Sequence, residues 1–295
     1  MRLSVVIPIK DEADALGITL ASLEKSTFRD FEVIVVNDGG SKAVNDFCIN
    51  YRNNAAFNLK VINYNKVRGA YYARNLGVNQ AKAGWILFLD SDMVFGRNII
   101  KNIAKKYISK YDYVTAHIEL KTTENQSFAE KVLSKGAFDF REGFKKENYG
   151  GGTGFAFIKK SAFHAVGGFD GDLFSCEDRR IGKKLFRNGF KMAFCDEETV
   201  FHLPKSLQQH KWSYIIGGRE NYIAHKRYPK DIPKPLWIPL AFLKLPVSLF
   251  NIFRVYFLYH RKEYAFLSFF VIRTRVLYWR LISLILVIKD KRFYE

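Results

Sequence analysis

Five apolar residues in a row, Trp85–Leu89, run straight into Asp90-Ser91-Asp92, and no other stretch limits the possible folds as much. A strand that is apolar at every position is buried on both faces, which is what a parallel sheet produces. In open α/β sheets ligands bind beyond the C-terminal ends of such strands. This one delivers two carboxylates there. In extended chain alternate residues point the same way, so Asp90 and Asp92 can grip one divalent cation. Oxygen-only ligands suit Mg²⁺ or Mn²⁺, which stays partly hydrated and is shared with substrate phosphates. A polar turn after a strand has the same spelling, so the rest of the chain has to decide.

The chain before this point reads as repeated strand–helix units. Residues 3–8 form a β-branched run closed by Pro8, followed by the polar loop Lys10-Asp11-Glu12 and a helical spacing of Leu16, Leu20 and Leu23. Residues 31–36 and 59–64 are further strands, with Ser41 placed as an N-cap for the helix between them. Residues 69–82 predict a helix with Ala70, Ala73, Leu76 and Gly77 on a narrow packing face. Strands alternating with helices of this length argue for βαβ units and a parallel sheet. Asp38 leaves the second strand as Asp90 leaves the fourth, so both line one rim, where an acid can accept hydrogen bonds from a base or ribose. Asn37-Asp38-Gly39-Gly40 also reads as a simple turn.

After Asp92 the alternation breaks down. The sequence predicts a strand over 113–120, a helix over 128–146, a glycine-rich loop over 150–154, a strand over 155–158 and a short helix over 162–166. Gly167-Gly168-Phe169-Asp170 follows. Glu177 and Asp178 then open a helix that Gly189 stops. Acidic residues at a helix start interact well with its dipole whatever else they do. Strands over 190–195 and 199–202 and a helix over 208–226 complete this part.

The net charge of +18 is uneven, because residues 205–295 carry +12 of it. Those basic residues are interleaved with two apolar segments, 236–259 and 264–288, which favours an anionic membrane surface over nucleic acid. A bilayer span needs ~20 mostly apolar residues, and one central Arg costs about 2.5–3.5 kcal/mol on insertion scales. The second segment carries Arg273, Arg275 and Arg280. Helices lying in the membrane interface fit better than spanning ones, with an all-α subdomain packed on the core as the alternative. Cys48, Cys176 and Cys195 are far apart without Cys-x-x-Cys spacing, which argues against a disulfide framework or zinc site and fits a reducing compartment. The N-terminal residues read as a first strand rather than a signal peptide.

Taken together, these motifs resemble those of a family-2 glycosyltransferase of the GT-A fold. Val5-Val6-Ile7-Pro8-Ile9-Lys10-Asp11-Glu12 resembles the family's opening strand and loop, and Asn37-Asp38-Gly39-Gly40-Ser41 its Asp-Gly-Ser turn. Gly69 with Ala73-Arg74-Asn75-Leu76-Gly77 is similar to Gly-x-x-x-Ala-Arg-Asn-x-Gly, and Asp90-Ser91-Asp92 to the Asp-x-Asp segment. Gly167-Gly168-Phe169-Asp170 with Glu177-Asp178 is similar to the acceptor-side motifs. Gly40 departs by standing where the family often has Ser. The Gln-x-x-Arg-Trp motif of polymer synthases is missing, which argues against a processive enzyme.

The resemblance, which spans about residues 1–202, implies an α/β GT-A catalytic domain over 1–204, and the charge and apolar pattern adds a basic, apolar, helical, membrane-associating tail over 205–295. The resemblance also implies an inverting transfer from a nucleotide sugar, with a UDP-sugar favoured, to a glycan or lipid-linked acceptor at the cytoplasmic membrane face. Pro8, Asp11, Glu12, Asp38, Arg68, Arg74, Asp90 and Ser91 would surround the donor. Asp92, Asp90 and His202 would hold Mn²⁺ or Mg²⁺. Asp178 would be the general base, with Glu177 beside it. A nucleotidyltransferase is the nearest rival, but its glycine-rich loop after strand one is missing, with no glycine until Gly17. A nucleic-acid-binding protein would need its Lys/Arg on a polar surface, and these flank apolar runs.

Overall fold

The structure is a computed structural model that describes residues 2–40, 42–121, 123–126, 130, 152–173, 176–209, 223–228 and 230. Expectations for Ser41, the helix over 128–146, most of the helix over 208–226 and the apolar segments over 236–288 lie outside these residues. The chain divides into two compact units, residues 1–121 with 138–203 and residues 122–137 with 204–295.

The first unit is built on one eight-stranded sheet in the order β3-β2-β1-β4-β7-β6-β8-β5. Its first half follows the strand–helix alternation: β1 Leu3–Ile9, α1 Ala13–Glu24, β2 Phe31–Asp38, α2 Lys42–Arg52, β3 Asn58–Tyr64, α3 Ala70–Gln80 and β4 Trp85–Leu89. Strands β1 to β4 pair in parallel. Every residue of β1, β2 and β4 is buried, as strands of a parallel sheet covered on both faces are, with the buried polar pair Ser4 and Glu32 hydrogen-bonded to each other. Pro8 is accommodated inside β1 because the pairing with β4 stops at Val6↔Phe88, leaving only β2 beside it.

The second half is mixed: β5 Met93–Val94, α4 Ile99–Tyr107, β6 Tyr113–Leu120, β7 Phe155–Lys159, α5 Lys160–Ala165, α6 Glu177–Arg187 and β8 Met192–His202. β7 runs antiparallel to both β4 and β6, and β8 pairs with β6 in parallel and with β5 in antiparallel fashion. The purely parallel sheet of the first half therefore does not continue. The two strands expected over 190–195 and 199–202 are one strand, with a register jump opposite Ala116/His117 that bulges out residues 196–198. Helix α4 was not anticipated, although Ile99, Ile100, Ile103 and Tyr107 line one buried face.

Two apolar layers cover the sheet. Leu3, Val5, Ile7 and their neighbours meet α1, α2 and α4 on one face. Val6, Ile34 and Phe88 meet α3, α5 and α6 on the other. The buried face of α3 comprises Ala73, Arg74, Gly77 and Val78; Ala73 and Gly77 lie on it as expected, but Ala70 is exposed and Leu76 half-buried, and the charged Arg74 and Val78 take their place. Gly77 is where α3 touches the sheet: a Cβ there would lie 2.3 Å from Val6 Cγ1. The order β3-β2-β1-β4 puts a topological switch point between β1 and β4, and a ligand crevice opens at such a point.

In the second unit, Ser206 and Gln209 cap a helix start reciprocally, each backbone N–H donating to the other's side chain. Among the described residues no helix is long and apolar enough to cross a membrane.

Candidate active site

The turn after β4 is positioned by three elements. The Asp90 N–H donates to Gly154 O at 2.9 Å, and Leu203 N–H donates to Asp92 O at 2.8 Å. From α1 comes a residue that sequence reasoning missed. The wholly buried Thr19 hydroxyl lies 2.8 Å from Ser91 O and 3.0 Å from Met93 O, and accepts the Met93 N–H at 3.0 Å. Its only signal in the sequence is a Thr on the apolar face of an amphipathic helix.

Asp90 and Asp92 do not act as an alternating pair. Ser91 and Asp92 form a turn rather than extended chain, so the two carboxylates meet different partners. Asp90 forms an ion pair with Arg74 at 2.5 Å, and the guanidinium is 5% exposed and stacks over Tyr71. Asp92 Oδ2 lies 2.9 Å from His202 Nε2, because β5 and β8 pair Met93 with His202.

Asp92 and His202 fit a divalent cation. His202 Nδ1 lies 2.8 Å from the Leu203 carbonyl, which only accepts, so Nδ1 carries the proton. Nε2 then faces a carboxylate oxygen, and two acceptors at that distance need a cation between them, a second proton or a metal. Two adjacent ligands of an octahedral ion bound at about 2.1 Å sit about 3 Å apart, close to the observed spacing. The other Asp92 oxygen, Oδ1, is buried with no hydrogen bond among the described residues. Among the described residues no three His, Cys, Asp or Glu side chains cluster as a complete ligand set, so any further ligands of a cation held here would have to be other oxygens.

Asp38 is 5% exposed, and both its oxygens are engaged: Oδ1 accepts Arg68 N–H at 2.9 Å and Oδ2 accepts Gly69 N–H at 2.7 Å. In this state it organises the loop before α3 rather than offering a free acceptor. The Arg68 side chain pairs with Asp172 at 2.7 Å and stacks 4.5 Å over Tyr72. A Cβ at Gly40 would overlap Asn37 Oδ1 at 1.2 Å, so a larger residue there would require the Asn37 side chain to move. Asp11 and Glu12 are exposed on the loop after β1, with Asp11 3.8 Å from Lys10.

Glu177 and Asp178 have opposite environments. Glu177 is wholly buried; one oxygen accepts Asp170 N–H at 2.6 Å and the other Arg180 Nη1 at 3.0 Å. It ties the Gly-Gly-Phe-Asp turn to α6, so its place beside Asp178 is structural. Half-buried Asp178 accepts only its neighbour's Arg179 N–H at 2.8 Å, and among the described residues no cation forms an ion pair with it. Burial pushes its carboxyl above the ordinary range and nearby Asp90 adds to this, against the opposing pull of the Arg179 amide, Arg179 and Arg74. Cys176, just before the pair, has φ 71°, a left-handed conformation that costs a non-glycine residue about 1–2 kcal/mol.

The same turn is clamped from α3. Asn75 Oδ1 accepts Phe169 N–H at 3.1 Å and its Nδ2 donates to Phe169 O at 2.9 Å. Phe169 packs on Phe88, Phe163 and Tyr71 beneath the turn.

Residues 4–167, more than half of the chain, match the model of Glycosyl transferase family 2. Glycosyltransferase AglE of Haloferax volcanii is 24% identical over 202 residues, covering 68% of this chain and 66% of that protein. The chain spans between 15% and 66% of the length of curated relatives it matches. Among solved structures, the mannosyltransferase PcManGT from Pyrobaculum calidifontis, in complex with GDP-Man and Mn²⁺, superposes with a TM-score of 0.69 at 14% identity, over 98% of this chain and 88% of that one. S. aureus TarS 1–349 in complex with UDP-GlcNAc does so with a TM-score of 0.55 at 19% identity, over 75% and 67%. At such identities the likeness speaks for the fold, a GT-A-like α/β sheet with flanking helices. With the family's motifs at the rim of that sheet and the family model matched across it, the chain belongs to glycosyl transferase family 2.

Proposed function

We propose that this chain is an inverting glycosyltransferase that moves a sugar from a nucleotide-sugar donor to a hydroxyl of a glycan or lipid-linked acceptor. The observation that carries the reading is the contrast along one rim. Asp92 and His202 lie 2.9 Å apart as a candidate pair of cation ligands, Asp90 is held by Arg74, and Asp178, its carboxyl raised by burial, has no ion-pair partner among the described residues.

Asp92 and His202 would hold Mn²⁺ or Mg²⁺, which supplies Lewis-acid stabilisation of the departing diphosphate when bound. Arg74 fixes the Asp90 carboxylate, and the Arg68–Gly69 loop, tied by Asp38, closes the donor side. Asp178 accepts the proton of the acceptor hydroxyl as its oxygen attacks the anomeric carbon from the face opposite the leaving group. One bond to carbon forms as the other breaks, which inverts the configuration. A carboxylate with a raised pKa is a stronger base than an ordinary one.

The donor base is open between uridine and guanosine, since the two structural neighbours were solved with UDP-GlcNAc and GDP-Man respectively. A UDP-sugar is the first to test. The basic, apolar stretch over 236–288 would hold the enzyme in the interface at the cytoplasmic membrane face. Full-length protein incubated with a panel of UDP- and GDP-sugars should hydrolyse at least one slowly, only with Mn²⁺ or Mg²⁺, and bind anionic vesicles better than neutral ones. Metal-independent hydrolysis would sink the cation assignment, and indifference to vesicles the membrane assignment.

A further inference from the structure

A polar stripe on β6 is left unexplained by the donor and base assignments. Tyr113, Thr115, His117 and Glu119 alternate along the strand and so share one sheet face. It is the face that carries Val6, Phe88 and Tyr113 and meets α3, α5 and α6. Thr115 and His117 are 3% and 5% exposed, yet Thr115 Oγ1 and His117 Nδ1 have no hydrogen-bond partner among the described residues. Buried polar atoms are almost always paired, so two on one stripe point to a missing partner.

Register places the stripe at the rim. Phe88 pairs with Ala156, Ala156 with Thr115 and Thr115 with Phe194, one row across four strands. β4 and β6 are each antiparallel to β7, so they run the same way. Asp90 lies two residues past Phe88 and His117 two past Thr115, towards the same edge. Two strand spacings separate them, about 10 Å. Beside Asp90 stands Gly154, where a Cβ would come within 3.0 Å of Asp90 Oδ2. Asp178 acts electrostatically on Tyr113, next along the stripe, whose phenol burial pushes well above its usual range.

The chemistry of the missing partner follows from the imidazole. His117 Nε2 lies 2.8 Å from Glu119 Oε1, which only accepts, so Nε2 carries the proton. In the neutral ring Nδ1 is then a lone-pair acceptor and needs an O–H or N–H donor. Thr115 Oγ1 can accept or donate. The ring stands edge-on to Phe194 at 6.3 Å, so the stripe combines an apolar wall with two hydrogen-bonding groups.

Resting on the transferase reading above, we infer that Thr115 and His117 form a hydroxyl-binding subsite for a sugar, with Glu119 fixing the His117 tautomer. The sugar belongs either to the donor or to the acceptor, and one set of titrations separates the two. In full-length protein, Thr115→Val and His117→Phe remove the polar atoms and keep the bulk. Calorimetry with Mn²⁺ compares each responsive nucleotide sugar of a UDP- and GDP-sugar panel with its bare nucleoside diphosphate. A second titration adds methyl glycosides of glucose, galactose and N-acetylglucosamine to protein saturated with nucleoside diphosphate.

A donor subsite loses about tenfold in affinity for the nucleotide sugar while the nucleoside diphosphate binds as before. An acceptor subsite leaves both unchanged and loses about tenfold for the glycoside. Either way Thr115→Val should hold or raise the thermal midpoint, since an unpartnered buried hydroxyl stabilises nothing. Unchanged sugar and glycoside affinity in both variants overturns the inference, as does an equal loss for the bare nucleoside diphosphate, which marks a structural role. If His117→Phe does not fold, Thr115→Val alone decides. Wild-type protein that binds no nucleotide sugar refutes the transferase reading itself, and the subsite with it.

Discussion

Thr19→Val tests whether the cation site depends on a buried hydroxyl that touches no ligand. The substitution conserves volume, so no cavity opens. It removes one donated bond, to Ser91 O or Met93 O, and leaves the Met93 N–H without its side-chain acceptor. A net hydrogen bond contributes about 1 kcal/mol and an unsatisfied buried amide costs about 1–3 kcal/mol, so the expected destabilisation is about 2–4 kcal/mol. Because Ser91 and Met93 bracket Asp92, part of this should appear as displacement of the carboxylate. We expect a lower urea midpoint and a roughly tenfold weaker Mn²⁺-dependent affinity for UDP or GDP, with metal-independent affinity unchanged. Thr19→Ser keeps the hydroxyl and loses one methyl group; it should cost about 1 kcal/mol of stability and leave the Mn²⁺-dependent step intact. If Thr19→Val lowers the urea midpoint while Mn²⁺-dependent binding stays at the wild-type level, Thr19 supports the fold but does not position Asp92. If neither quantity moves, the hydrogen bonds carry no energetic weight.

Three further expectations use other parts of the structure. Asp178→Asn should lower turnover by roughly 10²–10⁴, the usual worth of a positioned base, with donor affinity held; wild-type kcat should fall as pH drops through a pKa above the ordinary ~3.9 of Asp, because burial raises it, and this acid limb should vanish in the variant. Glu197, hydrogen-bonded by Lys106 and Tyr107, has its carboxyl lowered to about 2. Its contribution is therefore present above an unfolded value of ~4.3 and is lost as pH falls towards 2, so urea midpoints of wild type and Glu197→Gln should converge between pH 5 and pH 2.5; a constant gap would show that the pair does not titrate. Gly77→Ala should destabilise by about 1–3 kcal/mol through overpacking on Val6, and Val6→Ala should partly rescue it; additive losses would mean the two sites do not press on each other.

What the sequence made legible follows from periodicity. β1, β2 and β4 announce themselves because burial on both faces favours apolar runs, and the polar residues inside β1 and β2, Ser4 and Glu32, are buried as a hydrogen-bonded pair. α3 was legible as a helix but not in its buried face, since Arg74 counts as polar until Asp90 is brought to it across the strand end. The acidic pair shows the limit most clearly. Nothing local distinguishes Glu177 from Asp178; the difference arises from Asp170 and Arg180, which take both oxygens of the first. Likewise the Asp90–Asp92 alternation failed because a turn, imposed by Thr19, Gly154 and Leu203, replaces the extended chain that the argument assumed.

The motif around α3 shows why these residues are found together. Ala73 and Gly77 let the helix lie close to β1, Arg74 reaches Asp90 at the end of β4, and Asn75 holds Phe169 of the turn that leads to Glu177 and Asp178. One rigid helix thus sets the carboxylate after β4 and the turn before Asp178 relative to the same sheet. Moving α3 away from Val6 by the width of a methyl group would shift both together. A loop-based arrangement would lack that property, because loops move independently. Transfer between two substrates needs its donor and acceptor groups held to a fraction of an ångström, and a single close-packed helix carrying both contacts is the physical means by which this chain can supply it.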